Sequence, residues 1–299
     1  MLDTWVIDDS KTKIDHTNAY LYAPMMLTQS LTAILGASFE SYSQPGRDRD
    51  QFNPKLGVIW KPNPYTTLRL AAFRVLKRPV LSNQTIELTQ IAGFNQFFDD
   101  VNGARSWRYG IGLDQRLSDT LFGGIELSWR DIRKPVISSG SLIDRDLDED
   151  LHRAYFYWVP YRSLAIGAEY QYEYLKRDYE DGKQNSSDPA EVTTHTIPIT
   201  LSYYRPNGLF SRIRATYVNQ NVDFVAATTG TVKEKNDFFV TDISIGYRFP
   251  KRYGLMNVGI NNLFDQDFSF QSPGFGTGEP RISCFQPERT FFAKLNLWF

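Results

Sequence analysis

Phe291-Phe292-Ala293-Lys294-Leu295-Asn296-Leu297-Trp298-Phe299 is the stretch whose reading decides the fold. Its odd positions are all apolar, and Lys294 and Asn296 fall on even ones. That is the period-two pattern of a strand with one greasy face and one wet face. A soluble protein has little reason to leave such a strand unblunted. In a barrel closed within lipid, the outward face meets hydrocarbon and the inward face meets a polar lumen. The first strand then pairs with the last, so that no edge remains. Read outward from this stretch, the chain becomes a series of such strands.

The cleanest are in the middle. Trp107, Tyr109, Ile111 and Leu113 alternate with Arg108, Gly110, Gly112 and Asp114, and Leu121 to Trp129 alternate with Glu126, Ser128 and Arg130. Leu164 to Tyr174 is near-perfect period two, with Gly167, Glu169, Gln171 and Glu173 on the polar face. Weaker versions run from His16 to Ala23, Leu31 to Phe39, Leu56 to Trp60, Leu68 to Ala72, Ala154 to Trp158, Ile197 to Tyr203, Ile213 to Tyr217, Phe239 to Phe249 and Met256 to Ile260. Pro198 removes a ladder donor and predicts a bulge or a local break. About 13 strands and a remnant at Trp5 to Ile7 bring the count to roughly 14, an even number as bacterial barrels require.

Short Pro, Gly or Asn turns, such as Lys61-Pro62-Asn63-Pro64 and Arg205-Pro206-Asn207-Gly208, alternate with longer polar stretches. Those stretches are read as loops at Pro45 to Asp50, Val80 to Arg105, Ile132 to Asp150, Tyr179 to Glu191, Val225 to Asn236 and Ser269 to Pro287. Outer-membrane barrels have this asymmetry, with short periplasmic turns and long extracellular loops. Trp60, Trp158 and Trp298 lie near the short-turn ends and Trp107 and Trp129 near the long-loop ends, which predicts two aromatic girdles. A soluble propeller is the rival, because the turns recur at roughly 45 residues. Each period here holds two long strands rather than four short ones, which disfavours it.

Composition agrees. Of 299 residues, 15% are aromatic, with 17 Tyr and 21 Phe, and the only cysteine is Cys284. Mean hydropathy is −0.39, and there is no apolar run as long as a spanning helix needs. Alternating strands average out, so that value does not weigh against a barrel. The net charge of −1, from 33 basic and 34 acidic residues, gives no electrostatic case for nucleic acid. The first residues show no basic and apolar leader, so either a leader has been removed or the chain is the C-terminal part of a longer one.

The run Asn262-Leu263-Phe264-Asp265-Gln266-Asp267-Phe268 resembles the C-terminal part of TonB-dependent outer-membrane receptors. In that family a late strand carries Asn-Leu-Phe-Asp, a loop with Pro and Arg follows (here Pro280, Arg281, Pro287 and Arg289), and the last strand ends in Phe, here Phe299. Asn53 to Val58, Leu68 to Leu70 and Phe73 to Pro79 look like the family's hairpin that enters the loop before an Arg-x-Pro signature. The resemblance implies an all-β, antiparallel transmembrane barrel over residues 1–299. It also implies passage or capture of a solute, with outer-membrane lipid as a partner. The chain departs from the family in lacking room for a plug and in showing about 14 strands rather than about 22. Leu81 to Phe98 looks more like barrels that follow periplasmic tetratricopeptide repeats, which leaves an export or assembly pore for polymer as the alternative. A stand-alone structural barrel is the third reading. A periplasmic partner or upstream domain is expected under the first two.

No catalytic site is expected. His16, His152 and His195 are the only imidazoles, and none has a Ser or Asp at a spacing one strand would bring together. No cofactor is expected, and Cys284 is a lone loop thiol. Asp144, Asp146, Asp148, Glu149 and Asp150 lack the glycine of a tight calcium loop, so a solvated stretch rather than a metal site is expected. Ligand contact is assigned to the Val80 to Arg105 stretch, at Phe94, Asn95, Phe97, Phe98, Asp99 and Asp100. Aromatics there have no lipid to bury in, although folding back as a constriction is an equal reading. Arg69, Glu126, Glu169, Glu173, Arg212, Arg214, Asp242, Arg248 and Lys294 are assigned to the lumen wall, where mixed signs argue against strong ion selectivity.

Overall fold

The structure, a computed structural model, describes residues 15–44, 47–77, 87–96, 100–138, 141–178, 189–226, 230–271 and 288–298. In chain order its strands are β1 (Asp15–Met26), β2 (Leu31–Gln44), β3 (Arg47–Asn63), β4 (Thr66–Leu76), β5 (Gln90–Ile91), β6 (Phe94–Asn95), β7 (Arg105–Arg116) and β8 (Leu121–Ser138). They continue with β9 (Ser141–Tyr161), β10 (Leu164–Arg177), β11 (Pro189–Tyr204), β12 (Leu209–Ala226), β13 (Gly230–Arg248), β14 (Gly254–Asn261) and β15 (Thr290–Leu297). Thirteen of them form one antiparallel meander, and the two-residue strands β5 and β6 pair only with each other. The remnant at Trp5 lies outside the described residues.

Burial is inverted relative to a soluble sheet. Leu35, Phe39, Phe52, Leu56, Leu70, Ile111, Ile125, Ile199, Phe239 and Ile245 are exposed, whereas Ser38, Glu40, Gln51, Asn53, Lys55, Arg108, Ser128 and Arg130 are buried. Successive residues of a strand point to opposite faces, so one face is apolar and open and the other polar and covered. Trp60 and Trp158 are exposed on the apolar side, and Trp298, just past the end of β15, is exposed as well. That side is the one lipid wets, and no helix among the described residues is long and apolar enough to cross a membrane.

Two expectations are corrected. The stretches read as loops at Pro45 to Asp50, Ile132 to Asp150 and Val225 to Asn236 are mostly strand, since β3 starts at Arg47, β8 and β9 leave only residues 139–140 between them, and β13 starts at Gly230. Past the lipid band both faces are wet and apolar residues no longer keep to one of them, so the period-two signal vanishes while pairing continues. The second concerns closure. Among the described residues β1 pairs only with β2 and β15 only with β14, so the first-to-last pairing is not formed. At Pro198, a local break rather than a bulge is what forms. The β10–β11 ladder pairs Ala168 with Ile199, lapses, and resumes at Gln171 with Thr196 in unchanged register.

Candidate functional site

The polar face of β3, β4, β7 and β8 seats the segment that leaves β4. At its tip Ala92 and Gly93 both have positive φ, 48° and 89°, the backbone of a two-residue hairpin turn. A Cβ on Gly93 would overlap Arg69 Nη1, so glycine is required by space as well as by conformation. Ile91, Ala92 and Phe94 are buried against Ala71, Phe73 and Val75, with Tyr22, Ile34 and Ile59 packed alongside. The wall is thinned to receive them. A Cβ on Gly57 would meet Ile91 at 2.9 Å, and one on Gly110 would meet the Phe94 ring at 2.5 Å.

Polar contacts fasten the hairpin. Lys55 Nζ donates to Gln96 Oε1 at 2.5 Å and lies 3.7 Å from Glu87 Oε1. Tyr22 Oη donates to Glu87 at 2.5 Å and Asn18 Nδ2 donates to it at 3.2 Å, while Gln96 donates to the Leu88 carbonyl. Arg108 donates to the Asn95 carbonyl at 3.3 Å and to Ser128 Oγ at 2.9 Å. Arg69 stands 5.2 Å over the Phe94 ring while pairing with Asp114 at 2.8 Å and Glu126 at 3.0 Å. Further along the segment, Asp100 pairs with Arg130 at 2.5 Å, and Arg130 also holds Glu149 at 3.0 Å.

A second segment covers β12 and β13. Asn262, with φ 51°, ends β14; its backbone N–H donates to Asp242 Oδ1 at 3.0 Å, and its side chain exchanges bonds of 2.8 and 2.9 Å with the Gln266 backbone. Leu263 N–H bonds the Thr241 carbonyl at 2.7 Å, and Asp265 accepts the Arg289 N–H at 2.8 Å. The Asn-Leu-Phe-Asp run is thus a structural knuckle, with Phe264 69% exposed. Past it, Phe268 stacks on Phe238 at 4.1 Å, and Gln220 trades bonds of 2.7 Å with the Gln271 backbone.

The sequence-assigned residues are brought together unevenly. Phe94 is 1% exposed, so it is a buried anchor and not a free ligand contact; its ring has a wall of glycine and aliphatic side chains to bury in. Asn95 is exposed and Asp100 partly so, while Phe97, Phe98 and Asp99 lie outside the described residues. On the wall, Arg69, Glu126 and Glu169 are paired, Glu169 taking Arg153 at 2.9 Å and the Tyr157 hydroxyl. Arg212, Arg214, Arg248 and Lys294 form no ion pair or side-chain hydrogen bond with another described residue. Lys55, Glu87, Gln96, Arg108 and Arg130 escape the sequence reading; the glycines at 57 and 110 on a polar face are the available signal.

The acidic run is strand, and three of its charges are paired. Asp144 pairs with Arg49 at 3.0 Å and Arg105 at 3.2 Å, and Asp146 with Arg133 at 2.6 Å. No metal-holding group of side chains occurs among the described residues. His16 pairs with Glu40 at 3.2 Å, while His152 and His195 lie in an outward stripe with Trp129 and Tyr172. Cys284 and Phe299 lie outside the described residues.

A family model for "TonB dependent receptor-like, beta-barrel" matches residues 3–263. Among solved structures, the FrpB iron transporter from Neisseria meningitidis (F3-3 variant) aligns at TM-score 0.71 and 15% identity over 96% of this chain and 45% of its own. A mutant (G324V) of the ferric enterobactin receptor PfeA from Pseudomonas aeruginosa gives 0.65 and 15% over 94% and 44%. The ferripyoverdine receptor of the outer membrane of Pseudomonas aeruginosa gives 0.58 and 13% over 86% and 35%. The chain therefore spans less than half the length of these structures. A comparison with curated protein sequences finds no match.

Proposed function

This chain belongs to the TonB-dependent receptor-like β-barrel family of the outer membrane, and on that premise we propose that it is the C-terminal portion of a receptor that captures a ferric complex at the cell surface and admits it. The observation that carries the reading is the covered polar wall. Two segments from the long-loop end fold inward over it, one on β3, β4 and β7 and one on β12 and β13. A wall lined with paired charges suits a filled or guarded lumen rather than an open pore. The capture surface is assigned to the exposed Asn95 and the partly exposed Asp100 of the first segment, together with the sequence-assigned Phe97, Phe98 and Asp99.

No catalytic role is part of this proposal. The cargo assignment follows what the similar structures are named for, an iron transporter and ferric siderophore receptors. The test is uptake of radioactive iron, supplied as several ferric siderophore complexes, by iron-starved cells that make or lack the protein. Uptake of at least one complex that depends on the protein is the expected result. Identical uptake with every complex overturns the cargo assignment.

A further inference from the structure

The paired arginines of the wall make the unpaired ones informative. Arg212 and Arg214 are two residues apart on β12, so both project to the polar face, with Cα atoms about 7 Å apart along the strand. Both are exposed. They line a recess of about 320 Å³ that Tyr157, Gly167, Thr200 and Ser202 share with them. In register, Arg212 lies between Ser202 and Ser244, and Arg214 between Thr200 and Asp242.

One neighbouring carboxylate is fully engaged, and a second, Asp242 opposite Arg214, is held in part. Glu169 at the recess edge is held by Arg153 through two bonds of 2.9 and 3.0 Å and by Tyr157 and Gln171. Asp242 accepts the Asn262 N–H at 3.0 Å. Neither Arg212 nor Arg214 forms an ion pair or side-chain hydrogen bond with another described residue. The recess opens near the short turn at residues 205–208, the periplasmic end in barrels of this kind.

We propose that Arg212 and Arg214 form an anion site on the periplasmic half of the inner wall, taking a carboxylate-rich solute on its way out of the lumen. Two planar guanidinium forks at this spacing can each donate to a carboxylate, so a polycarboxylate bridges them where a single anion engages one. The hydroxyls of Thr200 and Ser202 offer neutral bonds to the same ligand. The site rests on the uptake reading for its cargo but not for its chemistry.

The test is calorimetric titration of the detergent-purified protein with citrate as probe, at low salt. Wild type is expected to bind citrate, with affinity falling as salt rises. Arg212→Gln/Arg214→Gln is expected to weaken binding at least tenfold with an unchanged melting temperature, and Arg212→Lys/Arg214→Lys to retain part of it. No citrate binding by wild type, or equal binding by the Gln variant, overturns the proposal. So does a Gln variant that melts early while wild type ignores citrate, since that means an acidic side chain of the protein itself occupies the recess. Citrate binding that survives a negative iron-uptake result leaves the site standing and removes only the cargo assignment.

Discussion

Lys55 and Glu87 meet at 3.7 Å with each side chain only 2% exposed, so the fastening of the inward hairpin rests on charges taken out of water. Such a pair is weak evidence of net stability, because desolvation offsets the attraction, but breaking it by removing one partner costs about 3 kcal/mol or more. Lys55→Met is therefore expected to free the hairpin by roughly that amount, read as loss of amide exchange protection at residues 87–96 while β3 and β7 stay protected. Glu87→Gln should cost a similar amount, because it leaves the Lys55 ammonium buried without its carboxylate even though Tyr22 and Asn18 can still bond an amide. Gly110 tests the seat from the other side. Its missing Cβ leaves 2.5 Å to the Phe94 ring, and Gly110→Val should expel Phe94 and unprotect the same amides. Unchanged protection in both Lys55→Met and Gly110→Val would mean that the hairpin is held by something other than this seat.

The β8–β9 hairpin shows what governs an element once it leaves lipid. Its strands have 18 and 21 residues, and crossing a bilayer takes about 9–11. Beyond Trp129 the ladder carries the pairs Arg130 with Glu149 and Arg133 with Asp146 and the buried Ile132 and Leu147, while Asp131 stands opposite Asp148. Partial desolvation at the sheet, with the like charges of Asp131 and Asp178 adding to it and Lys176 opposing, holds the exposed Asp148 carboxyl above its ordinary value of 3.8. A folded-state value raised above the unfolded one means that the fold prefers the protonated acid. The penalty is full above the folded value and is relieved as pH falls through it towards 3.8. Asp148→Asn should accordingly protect this hairpin from exchange more than wild type at neutral pH, and the difference should shrink as pH falls through the folded value and vanish only below about pH 3. A difference that does not change with pH would sink the argument. The same hairpin marks where the fold is legible in the sequence. Strands are readable wherever one face meets lipid, as at Leu121 to Trp129, and unreadable from Ile132 to Asp150, where backbone pairing continues without alternation. Strands β5 and β6 are too short to carry a period, so the inward fold of Phe94 shows only as glycines on the facing wall. The Asn262 run is recognisable as a motif, but its role in ending β14 emerges only from the positive φ of Asn262 and Asp265.

At the scale of the whole molecule, the sheet has one polar face partly covered by its own segments, one apolar face bare, and two strands, β1 and β15, each with a single neighbour among the described residues. Unpaired amides in hydrocarbon cost several kcal/mol each, so in the membrane both edges must find partners. Alternation tells which residues face lipid, but no strand's own pattern says what lies beyond the outermost pair. The bare face gives the sharper test of the membrane reading. Ile125 is 48% exposed and lies midway between the short turn at residues 117–120 and Trp129. On a soluble sheet an exposed Ile→Arg change is worth within about 0.5 kcal/mol either way. On a lipid-facing strand near the midplane it costs about 2–4 kcal/mol. Ile125→Arg is expected to fall in the second range when unfolding is measured in lipid vesicles, and Ile125→Val to be nearly silent. A silent Ile125→Arg would mean that water, not hydrocarbon, wets this face, and the polar wall would then have to be explained as something other than a lumen.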